Sequence, residues 1–168
     1  MYMKVLSLFA AVVLMAACSS TPKDSGNANG AGLGNNGMTT GSGIGNGSVR
    51  PGTQEDLAAN VGDRVFFQYD HTDLTPEGRA TLDRQAAWLK QYSQLTVTIE
   101  GHCDERGTRE YNIGLGNRRA TAVKNYLVAL GISSSRVAII SYGKERPAVV
   151  GDSEDAFAQN RRGVTIVN

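Results

Sequence analysis

Only two cysteines, Cys18 and Cys103, occur in the 168 residues, too few for a disulfide framework. Basic charge is not in excess either: 17 Lys and Arg against 16 Asp and Glu, mixed along the chain, leave a net charge of +1. Such a balance cannot neutralise a phosphate backbone, which argues against nucleic acid as a partner. The apolar run from Val5 to Ala17, broken by Ser7, falls short of the roughly 20 residues that span a bilayer core of about 30 Å. No internal repeat is visible. No Ser-His or Cys-His arrangement with an orienting partner presents itself, nor a metal triad, so the residues offer no evident catalytic set.

What the N-terminus does contain is a secretory layout: Lys4, then the short apolar run, then small residues where cleavage occurs. Residues 1–17 are read as a signal peptide and the mature chain as exported. The run Leu14-Met15-Ala16-Ala17-Cys18-Ser19-Ser20 resembles the lipobox of bacterial lipoproteins, with Met15 where Leu is preferred. That resemblance implies lipidation of Cys18, which becomes the new N-terminus. Each buried CH₂ contributes about 0.8 kcal/mol, so several acyl chains hold a protein to a membrane essentially permanently. Ser19 stands where lipoproteins kept at the inner membrane often have Asp. The expected address is therefore the outer membrane, with the folded part facing the periplasm.

Residues 18–54 are rich in Gly, Asn and Ser and almost devoid of large apolar side chains, the composition of a disordered tether. About 35 such residues have a root-mean-square span of roughly 33 Å. Inside this stretch Gly32-Leu33-Gly34-Asn35-Asn36-Gly37 matches the dinucleotide-binding pattern letter for letter. That pattern works only between a strand and a helix, and here both flanks are polar, so the match is read as coincidence. Asn46-Gly47-Ser48 matches a glycosylation sequon, without reason to expect the modification.

Residues 55–168 read as one domain with a single core. Val65-Phe66-Phe67-Gln68-Tyr69 has the aromatic and β-branched content of a strand. Thr75 and Pro76 supply an N-cap and first position for a helix to about Tyr92, with Leu82, Ala86 and Leu89 on its buried stripe. Thr96 to Gly101 alternates as a second strand. A second helix carries Ala120, Val123, Leu127 and Leu130 at helical spacing and ends before Gly131. Gly114 and Gly116, each costing roughly 1 kcal/mol inside a helix, leave its start open. Val137 to Tyr142 and Gly163 to Val167 complete a mixed four-stranded sheet with helices packed on it, an α/β class.

The densest polar stretch is Glu100-Gly101-His102-Cys103-Asp104-Glu105-Arg106-Gly107-Thr108-Arg109-Glu110-Tyr111-Asn112, where a strand turns into a helix. It continues into Leu115-Gly116-Asn117-Arg118-Arg119-Ala120. Asp104, then Asn112, Leu115, Arg119 and Ala120 at their spacing, with FFQYDHTDL, SYGKERPA and NRRGVTIV elsewhere, resemble the family that shares the C-terminal domain of outer membrane protein A. The resemblance covers the whole folded domain. It implies non-covalent binding of the peptidoglycan stem peptide through meso-diaminopimelate, without cofactor, metal or catalysis. The free end of that residue carries an ammonium and a carboxylate on one carbon. A carboxylate suits the first and a guanidinium the second. By the resemblance Asp104 takes the ammonium and Arg119 the carboxylate, while Asp70, Arg106, Thr108, Asn112 and Leu115 belong to the same pocket. It also implies a protein partner, the periplasmic β-propeller protein TolB of the Tol-Pal system.

Other readings of these residues stand beside that one. Asp104 and Arg119 could be a surface ion pair, worth about 0–1 kcal/mol. His102 is expected to be polar and partly buried rather than a zinc ligand with His71. Cys103 is expected to be a small buried residue, the rival being an intermolecular disulfide in an oxidising compartment. Arg161 and Arg162 are a basic patch, helix-exit charges, or contacts to the acidic run Asp152-Ser153-Glu154-Asp155. The functional alternative is a wall hydrolase using Asp104 and Glu105, or a metal at His102 and Cys103.

Overall fold

The computed structural model describes residues 49–168, so the signal segment, Cys18 and the tether as far as residue 48 lie outside the described residues. Folding begins slightly earlier than composition suggests. Helix α1 (Gln54–Asp56), continued by a wider π turn over Leu57–Val61, is capped by Thr53, whose hydroxyl accepts from the Asp56 N–H. The Asp56 carboxylate is the anchor: it accepts from the Gly52 N–H at 2.8 Å and from Trp88 Nε1 at 2.9 Å. Leu57, fully buried, joins the core directly after it.

Strand β1 (Arg64–Phe66) is shorter than the aromatic run predicts. Phe67 N–H still bonds the Arg161 carbonyl at 2.9 Å. The Gln68 carbonyl, however, accepts from Arg119 Nη2 and from the His71 N–H, and Asp70 takes φ 58, a left-handed conformation. These bonds turn the chain out of the sheet one residue after Phe67. Helix α2 (Pro76–Gln91) opens as its cap signal predicts, with Thr75 Oγ1 accepting from the Gly78 N–H at 3.0 Å.

Strand β2 (Val97–His102), helix α3 (Arg109–Ala129) and strand β3 (Val137–Gly143) form a parallel crossover unit. A short helix α4 (Glu154–Asn160), which hydrophobic period alone does not reveal, precedes β4 (Arg162–Val167). The sheet order is β1-β4-β2-β3, with β4 antiparallel to both its neighbours. This is the mixed four-stranded sheet expected. Val65, Val97, Ile99 and Val137 from the strands pack with Leu82, Ala86 and Leu89 of α2 and Ala120, Val123 and Leu127 of α3.

Helix α3 starts at Arg109 and runs through both doubtful glycines, each for a different reason. A β-carbon at Gly116 would lie 2.8 Å from the Gly101 carbonyl oxygen, and one at Gly101 would run into the Gly116 backbone. Paired glycines therefore let α3 cross β2 backbone to backbone. At Gly114 a β-carbon would meet only Arg118 Nη1, at 3.4 Å. The far end closes as Gly131 predicts: at φ 94 its N–H bonds Val128 O, and the Ile132 N–H bonds Leu127 O.

Candidate functional site

The site is built where β2 ends. The β2–β3 register shifts between Gly101 and His102, so that His102 faces Gly143. Strict alternation stops there, and His102, Cys103 and Asp104 are all buried. The bulge at this register shift is the cause. His102 Nε2 lies 3.2 Å from Glu100 Oε2, while Cys103 donates its thiol hydrogen to the Asn112 carbonyl at 3.4 Å. Both are thus interior polar groups, as expected. Among the described residues no three metal-type side chains converge.

The loop from Cys103 to Thr108 is held from inside. Arg106 N–H donates to Asp104 Oδ1 at 3.2 Å, and Gly107 sits at φ 90. Asn112 Nδ2 donates to the Arg106 and Thr108 carbonyls at 2.8 and 3.1 Å. Thr108 Oγ1 accepts from the Tyr111 N–H at 3.2 Å, which caps α3. Thr108 thus caps the helix below the pocket and is not among the wall residues, its hydroxyl being turned back onto the helix. The pocket, about 150 Å³, is walled by Tyr69, Asp70, Cys103, Asp104, Arg106, Gly107, Tyr111, Asn112, Leu115 and Arg119. Six of the seven residues expected at the site therefore meet in one cavity.

Three guanidinium groups surround Asp104, and they differ. Arg106 Nη2 donates to Asp104 Oδ2 at 2.7 Å, with its guanidinium between the Tyr69 and Phe157 rings, 4.0 and 4.5 Å from their centroids. Its Nε is buried without a hydrogen-bond partner among the described residues. Arg161 Nη1 donates to the same Oδ2 at 3.2 Å, its Nη2 lies 2.7 Å from Glu154 Oε1, and its Nε donates to the Phe67 carbonyl at 3.0 Å. The expected contact of Arg161 with the acidic run is present through Glu154; the one with Asp104 was not foreseen. Burial opposes the Asp104 charge, but the hydrogen bonds from Arg106 and Arg161 outweigh it and hold the carboxyl below its ordinary range.

Arg119 is the third cation, 1% exposed. Its Nε, Nη1 and Nη2 donate to the carbonyls of His71, His102 and Gln68 at 3.0, 2.9 and 3.1 Å. No carboxylate lies within salt-bridge distance of it among the described residues. Asp104 and Arg119 are thus not a surface ion pair, since Asp104 is taken by Arg106 and Arg161. A guanidinium has five N–H donors, and Arg119 keeps one on each terminal nitrogen beyond those bonds. At the rim, exposed Asp70 accepts the Tyr111 hydroxyl, a bond that raises the Tyr111 pKa. Phe157 and Tyr111, absent from the expected set, reach the site through partners far off in sequence. Among the pocket-wall residues, only the exposed Asp70 offers a carboxylate not already held by guanidinium groups.

A larger cleft of about 550 Å³ runs beside β1, between Val65, Phe67, Gly78 and Ala158. It shares Arg161 with the site but gathers no comparable cluster of charge. Volume alone does not make it the functional site.

The domain is thus an α/β fold with a small, charge-lined pocket at a strand end. The model of the OmpA family matches residues 66–161. The chain belongs to that family. It is 48% identical over 153 residues to the peptidoglycan-associated lipoprotein of Rhizobium meliloti (strain 1021), covering 91% of this chain and 81% of the relative. With the protein of that name from Pseudomonas aeruginosa it shares 43% over 161 residues, 95% and 93% of the two chains. The crystal structure of the peptidoglycan-associated lipoprotein from Burkholderia pseudomallei superposes with a TM-score of 0.63 at 35% identity, over 67% of this chain and all of that one. These likenesses place the chain among envelope lipoproteins that associate with peptidoglycan, in a structural family and not an enzymatic one. The hydrolase alternative finds no support in them.

Proposed function

We propose that the domain binds the peptidoglycan stem peptide without covalent chemistry, by gripping the free end of meso-diaminopimelate in the pocket beside Asp104. The observation that carries this reading is Arg119: a guanidinium buried at the pocket wall, fixed by three carbonyls and without an acidic partner among the described residues. A buried cation left without an anion is costly, and a ligand carboxylate supplies one. Ligand ammonium would meet the remaining capacity of Asp104 Oδ1 and the exposed carboxylate of Asp70.

Residues 1–17 as signal peptide, lipidated Cys18 and the tether that leads from it to the folded domain complete the proposal. Anchored in the outer membrane with its domain in the periplasm, the protein would tie that membrane to the wall. TolB is the proposed protein partner, competing for the loop that carries Asp104 and Arg106.

The test varies the ligand, because Arg119 also supports the fold. Calorimetric titration of the full chain compares a stem peptide containing diaminopimelate with its lysine counterpart, which keeps the ammonium and lacks the carboxylate. A charge-assisted hydrogen bond contributes about 1.5–3 kcal/mol, so diaminopimelate peptide is expected to bind about one to two orders of magnitude more tightly. Equal affinities would overturn the role given to Arg119.

A further inference from the structure

At about 150 Å³ the pocket has room for the end of one amino-acid side chain. With diaminopimelate in it, the rest of the peptide lies across the rim. On one side that rim is Tyr111, half exposed, its hydroxyl tied to Asp70 and its ring thereby fixed. Two helical turns further along α3, Arg118 directs its side chain back towards Tyr111, as helical side chains lean towards the N-terminus. Its guanidinium carbon lies 5.9 Å from the Tyr111 ring centroid, and its Nη1 is 3.4 Å from where a β-carbon at Gly114 would stand. The bare surface of Gly114 is what leaves room for this course.

Neighbouring cations are otherwise engaged. Arg109 lies 3.5 Å from Glu145, and Lys144 donates to the Glu105 and Gly107 carbonyls at 3.0 and 2.7 Å. Arg118 has neither an acidic partner nor a side-chain hydrogen bond among the described residues, and it is exposed. Five donors therefore face solvent beside the pocket mouth, over an aromatic platform.

Resting on the diaminopimelate reading of the pocket, we propose that Arg118 and Tyr111 form a second subsite, outside it, for a free carboxylate on the residue preceding diaminopimelate in the stem peptide. The pocket then reads the end of one side chain, and Arg118 reads whether the adjoining acid is free or amidated. Arg119 and Arg118, adjacent in sequence, face the interior and the surface of the same helix and take two different carboxylates of one ligand.

Two synthetic peptides test this, identical except that the carboxylate next to diaminopimelate is free in one and amidated in the other. An exposed ion pair contributes up to about 1 kcal/mol, so the full chain is expected to bind the free acid about three- to fivefold more tightly, with the difference shrinking at high salt. Arg118→Gln should lower affinity for the free acid to that for the amide and leave the amide unchanged, and Arg118→Lys should restore part of the difference. Equal binding of both peptides by the unaltered chain, or a preference that survives Arg118→Gln, overturns the subsite while leaving the pocket reading intact. Binding of neither peptide overturns the pocket reading, and the subsite with it.

Discussion

His102 shows what one buried side chain does to the whole. Burial, then the nearby Arg162 cation, pushes its imidazole below the ordinary value of 6.5, against the opposing pull of Glu100. Above that value the ring is neutral both folded and unfolded, and stability is unaffected. As pH falls below it, the unfolded chain takes up a proton that the folded one refuses, so stability is lost towards the depressed folded pKa. Thermal melts between about pH 7 and about pH 5 should show this decline, and His102→Gln should flatten it. An unchanged slope in the variant would move the effect to another group. Arg119 matters at the same scale. Removing it takes the guanidinium donor from the His71 and His102 carbonyls and leaves the Gln68 carbonyl only the His71 N–H, and each unmet buried group costs about 1–3 kcal/mol. Arg119→Ala should therefore lower unfolding free energy by several times the effect of an ordinary surface substitution, measured in denaturant. A small loss would mean that those carbonyls find other donors.

At the scale of elements, α3 crosses β2 backbone to backbone, through Gly116 and Gly101. Gly116→Ala would push a methyl group against the Gly101 backbone and Ser141. Overpacking of this kind costs about 1–3 kcal/mol, and because α3 carries Asn112, Leu115 and Arg119 of the pocket wall, affinity should fall with stability. Gly114→Ala is the control: with only the flexible end of Arg118 near, it should stabilise α3 by about 0.5–1 kcal/mol. Two glycines that look alike in the sequence should thus change unfolding free energy in opposite directions. Equal signs would show that helix propensity, not the crossing, dominates at both.

For the whole molecule, the proposed anchor and partner are the testable parts. No described helix is long and apolar enough to cross a membrane. If Cys18 is the lipid anchor, Cys18→Ser should shift the protein from the membrane to the soluble fraction. Retention in the membrane fraction would put the anchor elsewhere. Competition is the second outcome: TolB added to the complex with stem peptide should displace the peptide, whereas a stable ternary complex would separate the two surfaces.

Local signals in the sequence determined the elements, because period, caps and breakers act within a few residues. Thr75-Pro76 started α2, Gly131 ended α3, and Leu82, Leu89, Val123 and Leu127 marked faces that did prove to be buried. The resemblance around Asp104 and Arg119 also named six of the ten residues that wall the pocket. Tertiary structure alone decided their states. Arg161 reaches Asp104 across 57 positions, and Phe157 closes on Arg106 from α4. Arg119 is held by carbonyls that β1 frees only by ending early. Which of two adjacent arginines is buried depends on the rotation of α3 over Gly101, and backbone contact through paired glycines leaves no signature in hydrophobic period. Charge pairing and burial depend on distances through space, and these exist only once the chain has folded.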